Sequence, residues 1–223
     1  MSKVIAVIAP GRTLLKEHVD AVREAGIPIA VISNVYEYAL DAEYCYSGDG
    51  RWWEHHWDEM NKLGFKGRRI TAEASTAGVY GTDGLEWVEH VPDYVKIGLP
   101  AKGKVTGTSS GHHILCFLVN EGYTDIILLG FEYGAAGDGH YFGGHPTGFN
   151  APPSDWPVMI EEMGPLAARI AAQGVRVTNC TEVTALRCFR KATLSEALAK
   201  YQSKPAKARR SARQDAVSDP AST

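Results

Sequence analysis

The chain has 223 residues, of which 44% are hydrophobic and 22% are charged, and its formal net charge at pH 7 is −3. This length suits one substantial hydrophobic core plus a tail. The slightly negative charge argues against bulk binding of nucleic acid by the folded part. The sequence contains no apolar run long enough to span a membrane and no segment that resembles a signal peptide.

The four cysteines are scattered along the chain and form no CxxC pair. They are Cys45, Cys116, Cys180 and Cys188. Three of them lie in or beside apolar segments, which predicts buried and reduced thiols. The simplest compartment for such a protein is the cytoplasm.

Hydrophobic runs alternate with helical patterns along the chain. The predicted strands are residues 3–8, 29–32, 42–47, 69–72, 125–129 and 175–179, and the predicted helices contain residues 19–25, 52–60, 114–118, 158–172 and 194–201. This alternation predicts the α/β class, here a Rossmann-like open parallel sheet with helices on both faces. We assign residues 1–202 to this single nucleotide-binding domain.

Two segments fit the alternation poorly. Residues 64–100 are rich in glycine and polar residues, which suggests an insertion or a lid over a cleft. Residues 203–223 have few apolar side chains, which predicts a disordered C-terminal tail. The first half of the tail is basic and could contact nucleic acid or an acidic partner, although a solvated tail is the simpler interpretation.

The turn after the first predicted strand has the sequence Ala9-Pro10-Gly11-Arg12-Thr13. It is neither a GxGxxG motif nor a Walker loop. Gly11 would let the backbone approach a phosphate, and Arg12 would add positive charge. The alternative is a plain connection between a strand and a helix.

Two further polar residues, Asn34 and Asp49, follow the second and third predicted strands. Asn34 can both donate and accept hydrogen bonds, so it could contact a base, a ribose or a phosphate. It could equally cap the next turn. Asp49 would lie at the same edge of the sheet, where ligands of open α/β sheets bind.

The stretch 106–146 has the densest chemistry. Ser109, Ser110 and Gly111 would offer hydroxyl and backbone N–H groups at a helix N-terminus, which suits a phosphate. A loop rich in glycine and histidine follows the strand 125–129, and it contains His140 and His145, which titrate near neutral pH. We interpret the stretch as part of a nucleotide-dependent active site. The alternative is a capped helix, a buried strand and a long surface loop.

Four segments resemble, in their order and spacing, small phage and prophage proteins and, through them, the single-domain bacterial sialyltransferases and the archaeal 6-hydroxymethylpterin pyrophosphokinase-like proteins. They are Val7–Leu14, similar to a Gly-Pro-Ser-Leu nucleotide loop; Ile32–Asn34, similar to an Asn-bearing strand end; Thr108–Tyr133, similar to a Ser-Gly-helix-strand-Gly-acidic unit; and His140–His145, similar to a His-Tyr-Ile-Gly-His loop. Gly107 stands near the place of an arginine in the sialyltransferases, and Glu132 lies one residue later than their usual Asp. The resemblance therefore implies a nucleotide cleft more than a particular sugar.

The resemblance implies group transfer from a nucleotide-activated donor, most simply a sugar nucleotide, to an unidentified acceptor. The nucleotide would be held by Gly11, Arg12, Thr13, Asn34, Asp49, Ser109, Ser110 and Gly111. His145 or His140 would be the general base for an acceptor hydroxyl. Tyr133 or Tyr141 would stabilise the departing phosphate.

Two alternatives remain open at the level of sequence. One is pyrophosphoryl transfer from a nucleoside triphosphate, for which Asp49, Glu132 and Asp138 would hold Mg²⁺. The other is a non-catalytic phage accessory protein or nucleotide sensor. The adjacent pairs His55-His56 and His112-His113 are interpreted as core or helix-surface histidines, because neighbours in a helix point about 100° apart.

Overall fold

The central strands form where the sequence has buried apolar runs, and most helices form where apolar residues recur at helical spacing. The computed structural model describes residues 2–92, 99–144 and 155–201. In that part of the chain the strands are β1 (Val4–Ile8), β2 (Ile29–Ile32), β3 (Tyr44–Tyr46), β4 (Arg68–Thr71), β5 (Leu85–Trp87), β6 (Glu89–His90), β7 (Lys104–Val105), β8 (Asp125–Leu129), β9 (Arg176–Asn179) and β10 (Arg190–Lys191). The helices are α1 (Lys16–Glu24), α2 (Gly50–Leu63), α3 (Ala74–Tyr80), α4 (Ser110–Asn120), α5 (Trp156–Ala172) and α6 (Leu194–Leu198).

Eight strands pair in one sheet, in the order β10-β9-β8-β1-β2-β3-β4-β5. Every pairing within it is parallel, and β6 and β7 form a separate parallel pair. The chain moves outward from β1 to β5 and then returns to the other side of β1 with β8. The strand order therefore reverses between β1 and β8, and the Rossmann-like α/β fold predicted from the sequence is confirmed.

Central strand β1 is covered by helices on both of its faces. Ile5 and Val7 pack into one apolar cluster with residues of α4 and α5. Ala6 and Ile8, which point the other way because side chains alternate along a strand, pack into a second cluster with α1 and α2. Burial on both faces explains why β1 and β8 are almost continuous apolar runs.

Helix α2 supplies much of the second cluster. Asp49 caps its N-terminus by accepting a hydrogen bond from the backbone N–H of Arg51, and Gly64 ends it in the left-handed conformation with a φ of 81°. Its tryptophans and methionine, Trp52, Trp53, Trp57 and Met60, are buried. These side chains are therefore part of the hydrophobic core.

The stretch 64–100 contributes β4 and β5 to the main sheet, with α3 between them, as far as Trp87. This part of the stretch therefore belongs to the sheet itself, and residues 93–98 lie outside the described residues. The tail 203–223, predicted to be disordered, also lies outside the described residues.

Three of the four cysteines, Cys45, Cys116 and Cys180, are buried and unpaired, as predicted, whereas Cys188 is exposed. Burial raises the pKa of the Cys116 and Cys180 thiols to about 11. No helix within the described ranges is long and apolar enough to cross a membrane.

Candidate functional site

A cleft of about 810 Å³ opens at the carboxyl ends of β1, β2, β3, β4 and β8. Its walls include the turns that follow these strands and the first residues of α2, α4 and α5. The cleft lies where the strand order reverses, which is the usual ligand position in open α/β sheets. The fold thus brings Gly11, Asp49, Ser109–Gly111, Tyr133 and His140 to the same cleft.

The turns after β1 and β8 approach each other through two glycines. A Cβ atom at Gly11 would overlap the carbonyl oxygen of Gly130 and lie 2.8 Å from Oε1 of Glu132. Gly130 has a φ of +72°, and a Cβ atom there would overlap the carbonyl oxygen of Ala9. Only residues without a side chain fit this contact, which forms the floor of the cleft.

The buried carboxylate of Glu132 binds the turn after β1. It accepts hydrogen bonds from the backbone N–H of Arg12 at 2.8 Å and from the backbone N–H of Thr13 at 2.6 Å. The Thr13 hydroxyl donates a third hydrogen bond at 2.5 Å. These three donors are therefore engaged by the protein itself. Neither Arg12 nor Thr13 is among the residues that line the cleft, and Thr13 faces a separate cavity of about 560 Å³, so the nucleotide contacts of these two residues stay a prediction.

The start of α4 faces the start of α2 across the cleft. Ser109 is the N-cap of α4, and its hydroxyl accepts a hydrogen bond from the backbone N–H of His112. The Ser110 hydroxyl accepts a hydrogen bond from the backbone N–H of Gly48 at 3.1 Å and so ties the two helix starts together. Gly111 lies against Tyr133, because a Cβ atom there would overlap the tyrosine hydroxyl.

Tyr133 occupies an unusual backbone position, with a φ of +51°. Its hydroxyl lies 3.1 Å from the hydroxyl of Ser109, which in turn lies 2.6 Å from Nδ1 of His112. Burial raises the pKa of Tyr133 and lowers the pKa of His112 to about 4, although the backbone of Met159 acts on His112 in the opposite direction. Both rings are therefore neutral near pH 7.

His113, for which no functional role is predicted from the sequence, also lines the cleft. Its Nδ1 accepts a hydrogen bond from the Tyr46 hydroxyl at 2.9 Å, and its Nε2 donates to the Gly107 carbonyl at 2.8 Å. The same carbonyl accepts a hydrogen bond from Nε2 of His90 at 2.9 Å. Burial lowers the pKa of His113 to about 3. This hydrogen-bond network could not be predicted from the sequence, because Tyr46, His90 and His113 lie far apart along the chain.

The charged residues that line the cleft are mostly acidic. Among the described residues, one arginine, Arg51, lines the cleft together with five acidic residues: Asp49, Glu54, Glu73, Glu132 and Asp155. Arg51 is paired with Asp49 at 2.7 Å. Burial raises the pKa of Asp49, but its hydrogen bonds from Arg51 outweigh burial and hold the pKa below its usual value. A bound phosphate would therefore depend on backbone N–H groups and helix N-termini rather than on basic side chains.

Asn34 and Tyr141 do not line the cleft. The Asn34 side chain accepts a hydrogen bond from the Trp52 indole at 2.8 Å and donates one to Glu37 at 3.1 Å. The Tyr141 hydroxyl donates to the Asn34 carbonyl at 2.9 Å, while its ring stacks on Tyr38 at 4.5 Å between centroids. These contacts hold Trp52 and the glycine-rich loop, and the ligand contacts predicted for Asn34 and Tyr141 stay predictions.

His140 lines the cleft and has a defined orientation. Its Nδ1 donates a hydrogen bond to the Pro10 carbonyl at 3.1 Å, and its ring stacks on Phe142 at 5.0 Å. Because Nδ1 carries the hydrogen atom, the lone pair of the neutral ring is on Nε2. Burial lowers the pKa of His140, while the Pro10 carbonyl and the charge of Glu132 raise it. The second predicted base, His145, lies outside the described residues.

The three carboxylates predicted to bind Mg²⁺ do not converge. Glu132 is engaged by the turn after β1. Asp138 is exposed and does not line the cleft, and its backbone carbonyl lies 3.5 Å from Nη1 of Arg12. Within the described ranges, no group of three or more His, Cys, Asp or Glu residues is arranged to hold a metal ion. The described residues therefore lend no support to the predicted Mg²⁺ ligands, which stay a prediction.

Fold and cleft together define a Rossmann-like α/β protein with a ligand-sized opening at the carboxyl edge of its sheet. The chain matches no protein-family model, and no curated protein is significantly similar to it. Among solved structures it is similar to a short-chain dehydrogenase from Oenococcus oeni PSU-1, with 14% identity, coverage of 90% of this chain and 88% of that chain, and a TM-score of 0.25. A TM-score this low carries no functional argument, so the site is interpreted from its own geometry.

Proposed function

We propose that the protein is a nucleotide-dependent group transferase that uses a nucleotide-activated donor, most simply a sugar nucleotide. The observation that carries the proposal is the cleft at the reversal of strand order, at which α2, α4 and α5 begin. Helix N-termini favour anions and so act against the repulsion from the surrounding carboxylates. Ser109, Ser110 and Gly111 at the start of α4 would bind the phosphate of the donor.

His140 is the proposed general base. Its Nδ1 is held by the Pro10 carbonyl, so the Nε2 lone pair would accept the proton of an acceptor hydroxyl as the bond to the donor forms. Burial lowers the pKa of His140, which keeps the ring neutral and able to accept a proton near pH 7. Tyr133 and Ser109, whose hydroxyls form one hydrogen-bonded pair in the cleft, would contact the departing phosphate.

Metal-independent transfer is the favoured version. The alternative, Mg²⁺-dependent pyrophosphoryl transfer, would need carboxylates that converge on the triphosphate. Of the three candidates, Glu132 accepts hydrogen bonds from Arg12 and Thr13, and Asp138 lies away from the cleft. A requirement for Mg²⁺ together with release of AMP would favour this alternative over sugar transfer.

Binding is tested first, by thermal shift and calorimetry with cytidine, uridine and adenine nucleotides and sugar nucleotides, with and without Mg²⁺. We expect one nucleotide class to raise the melting temperature without Mg²⁺. Ser110→Ala should weaken that binding about tenfold. Ser195→Ala, on α6 and outside the cleft, should leave it unchanged. The proposal is rejected if no nucleotide binds.

Catalysis is tested with His140→Asn. The asparagine amide can still donate to the Pro10 carbonyl, but the variant has no imidazole to accept a proton. We expect donor affinity to change little and turnover to fall by about 10²–10⁴-fold. A non-catalytic sensor would bind the same nucleotide, show no turnover in the wild type, and keep its biological activity in His140→Asn.

A further inference from the structure

The turn between β1 and α1 is the place where a Rossmann-like fold usually offers backbone N–H groups to the phosphates of a nucleotide. In this protein an internal carboxylate already occupies that position. Glu132 accepts hydrogen bonds from two consecutive backbone N–H groups, of Arg12 and Thr13, and from the Thr13 hydroxyl. These are the donors that a ligand phosphate would otherwise use.

We propose that Glu132 is a specificity-determining residue that permanently fills the anion site of the β1–α1 turn and excludes a ligand phosphate from it. A dinucleotide that places its pyrophosphate on this turn is then not a ligand of the cleft. The ligand would be a mononucleotide derivative, whose phosphate lies on the side of α2 and α4. This last step rests on the proposed function, whereas the exclusion itself does not.

The backbone on either side of Glu132 directs it toward β1. Gly130 and Tyr133 both have positive φ values, of 72° and 51°, so the chain turns sharply before and after the acidic residue. A positive φ is costly for a tyrosine, and such positions persist where the surrounding structure fixes them. The carboxylate therefore reaches back across the end of β8 to the neighbouring turn.

Space and charge both exclude a second anion. Glu132 is only 4% exposed, and even a single carbon atom added at Gly11 would lie 2.8 Å from its Oε1. A phosphate at this turn would have to displace the carboxylate or share the site with a like charge, which is strongly unfavourable at such a distance. The Arg12 guanidinium extends toward the Asp138 carbonyl, with Nη1 3.5 Å from its oxygen.

Glu132→Ala tests the proposal because it should open the anion site. Inorganic phosphate is titrated into the folded wild type and variant, with chloride at equal ionic strength as the reference. At a phosphate concentration of about ten times its dissociation constant, we expect the melting temperature of the variant to rise by about 3–5 °C more than that of the wild type. Glu54→Ala removes a carboxylate from the same cleft but frees no turn N–H, so its response should equal that of the wild type.

A second measurement has a wild-type arm that tests the proposal even if the variant does not fold. In the wild type, the backbone amide resonances of Arg12 and Thr13 should not respond to phosphate, whereas in a folded Glu132→Ala they should shift. Movement of both resonances in the wild type, or an equal phosphate response of Glu132→Ala and Glu54→Ala, would overturn the proposal. Wild type that binds no nucleotide would refute the proposed function alone, because the phosphate experiment uses no nucleotide.

Discussion

Lowering the pH from about 7.5 to about 5.5 is expected to destabilise the protein through His112 and His113 of α4. Burial lowers their pKa values to about 4 and about 3 in the folded protein, while in the unfolded chain both titrate near the ordinary value of about 6.5. Below that value the unfolded chain binds protons that the folded protein does not, so the free energy of unfolding decreases as the pH is lowered. Each histidine contributes about 1.4 kcal/mol to the difference between the two pH values, or about 3 kcal/mol for the pair.

The measurement is urea unfolding at the two pH values, with the free energy extrapolated to water. His113→Gln, whose amide can still donate to the Gly107 carbonyl, should reduce the pH-dependent difference by about 1.4 kcal/mol, the contribution of one buried histidine. His55→Gln, on the exposed surface of α2, is the matched control and should leave the difference unchanged. If His113→Gln shows the same pH-dependent difference as the wild type, burial of a neutral imidazole is not the cause.

Three further predictions concern contacts around the cleft. Gly11→Ala places a Cβ atom against the turn after β8 and should cost about 1–3 kcal/mol of stability, seen as a lower melting temperature. The control Gly78→Ala, with open space around it in α3, should be neutral or stabilise by about 0.5–1 kcal/mol. Equal effects of the two substitutions would contradict the close approach of the two turns. Thr13→Val removes the hydroxyl donor to Glu132 and should cost about 1.5–3 kcal/mol in urea unfolding, and Thr13→Ser should recover most of that loss if the hydroxyl is what matters. Asn34→Ala leaves the buried Trp52 indole without its hydrogen-bond acceptor and should lower the free energy of unfolding by about 1–3 kcal/mol. The near-ultraviolet circular dichroism spectrum should also change, and an unchanged spectrum would argue against this contact.

The sequence predicts the interior strands well and the outer ones poorly. The boundaries predicted for β2 and β8 agree with the structure, because parallel strands buried on both faces are continuous apolar runs. Strand β10 consists of Arg190 and Lys191, both exposed. Such a strand has no hydrophobic pattern, since it is defined by pairing with β9 and not by burial. Strands β5 and β6 within the stretch 64–100 have the same weakness, because only Leu85 of β5 and neither residue of β6 is buried.

For the cleft, sequence reasoning identifies the turns but not the partners of their side chains. Gly11, Asp49 and Ser110 follow strands or begin helices, and the parallel sheet brings all three to one edge. The roles of Glu132 and Asn34 depend instead on residues that are distant in the chain or in a neighbouring layer. No local pattern distinguishes a carboxylate that binds a ligand from one that binds its own backbone.

The pairing of β1 also has a consequence for synthesis of the protein. One side of β1 is joined by β2 soon after it emerges from the ribosome, but the other side pairs with β8, where Val4 meets Asp125 more than a hundred residues later. Until then the nascent chain carries an apolar strand with one open edge, a form that readily aggregates. Fragments that end before residue 125 should therefore be insoluble or bound by chaperones, and the fold is completed only when the second half of the sheet arrives.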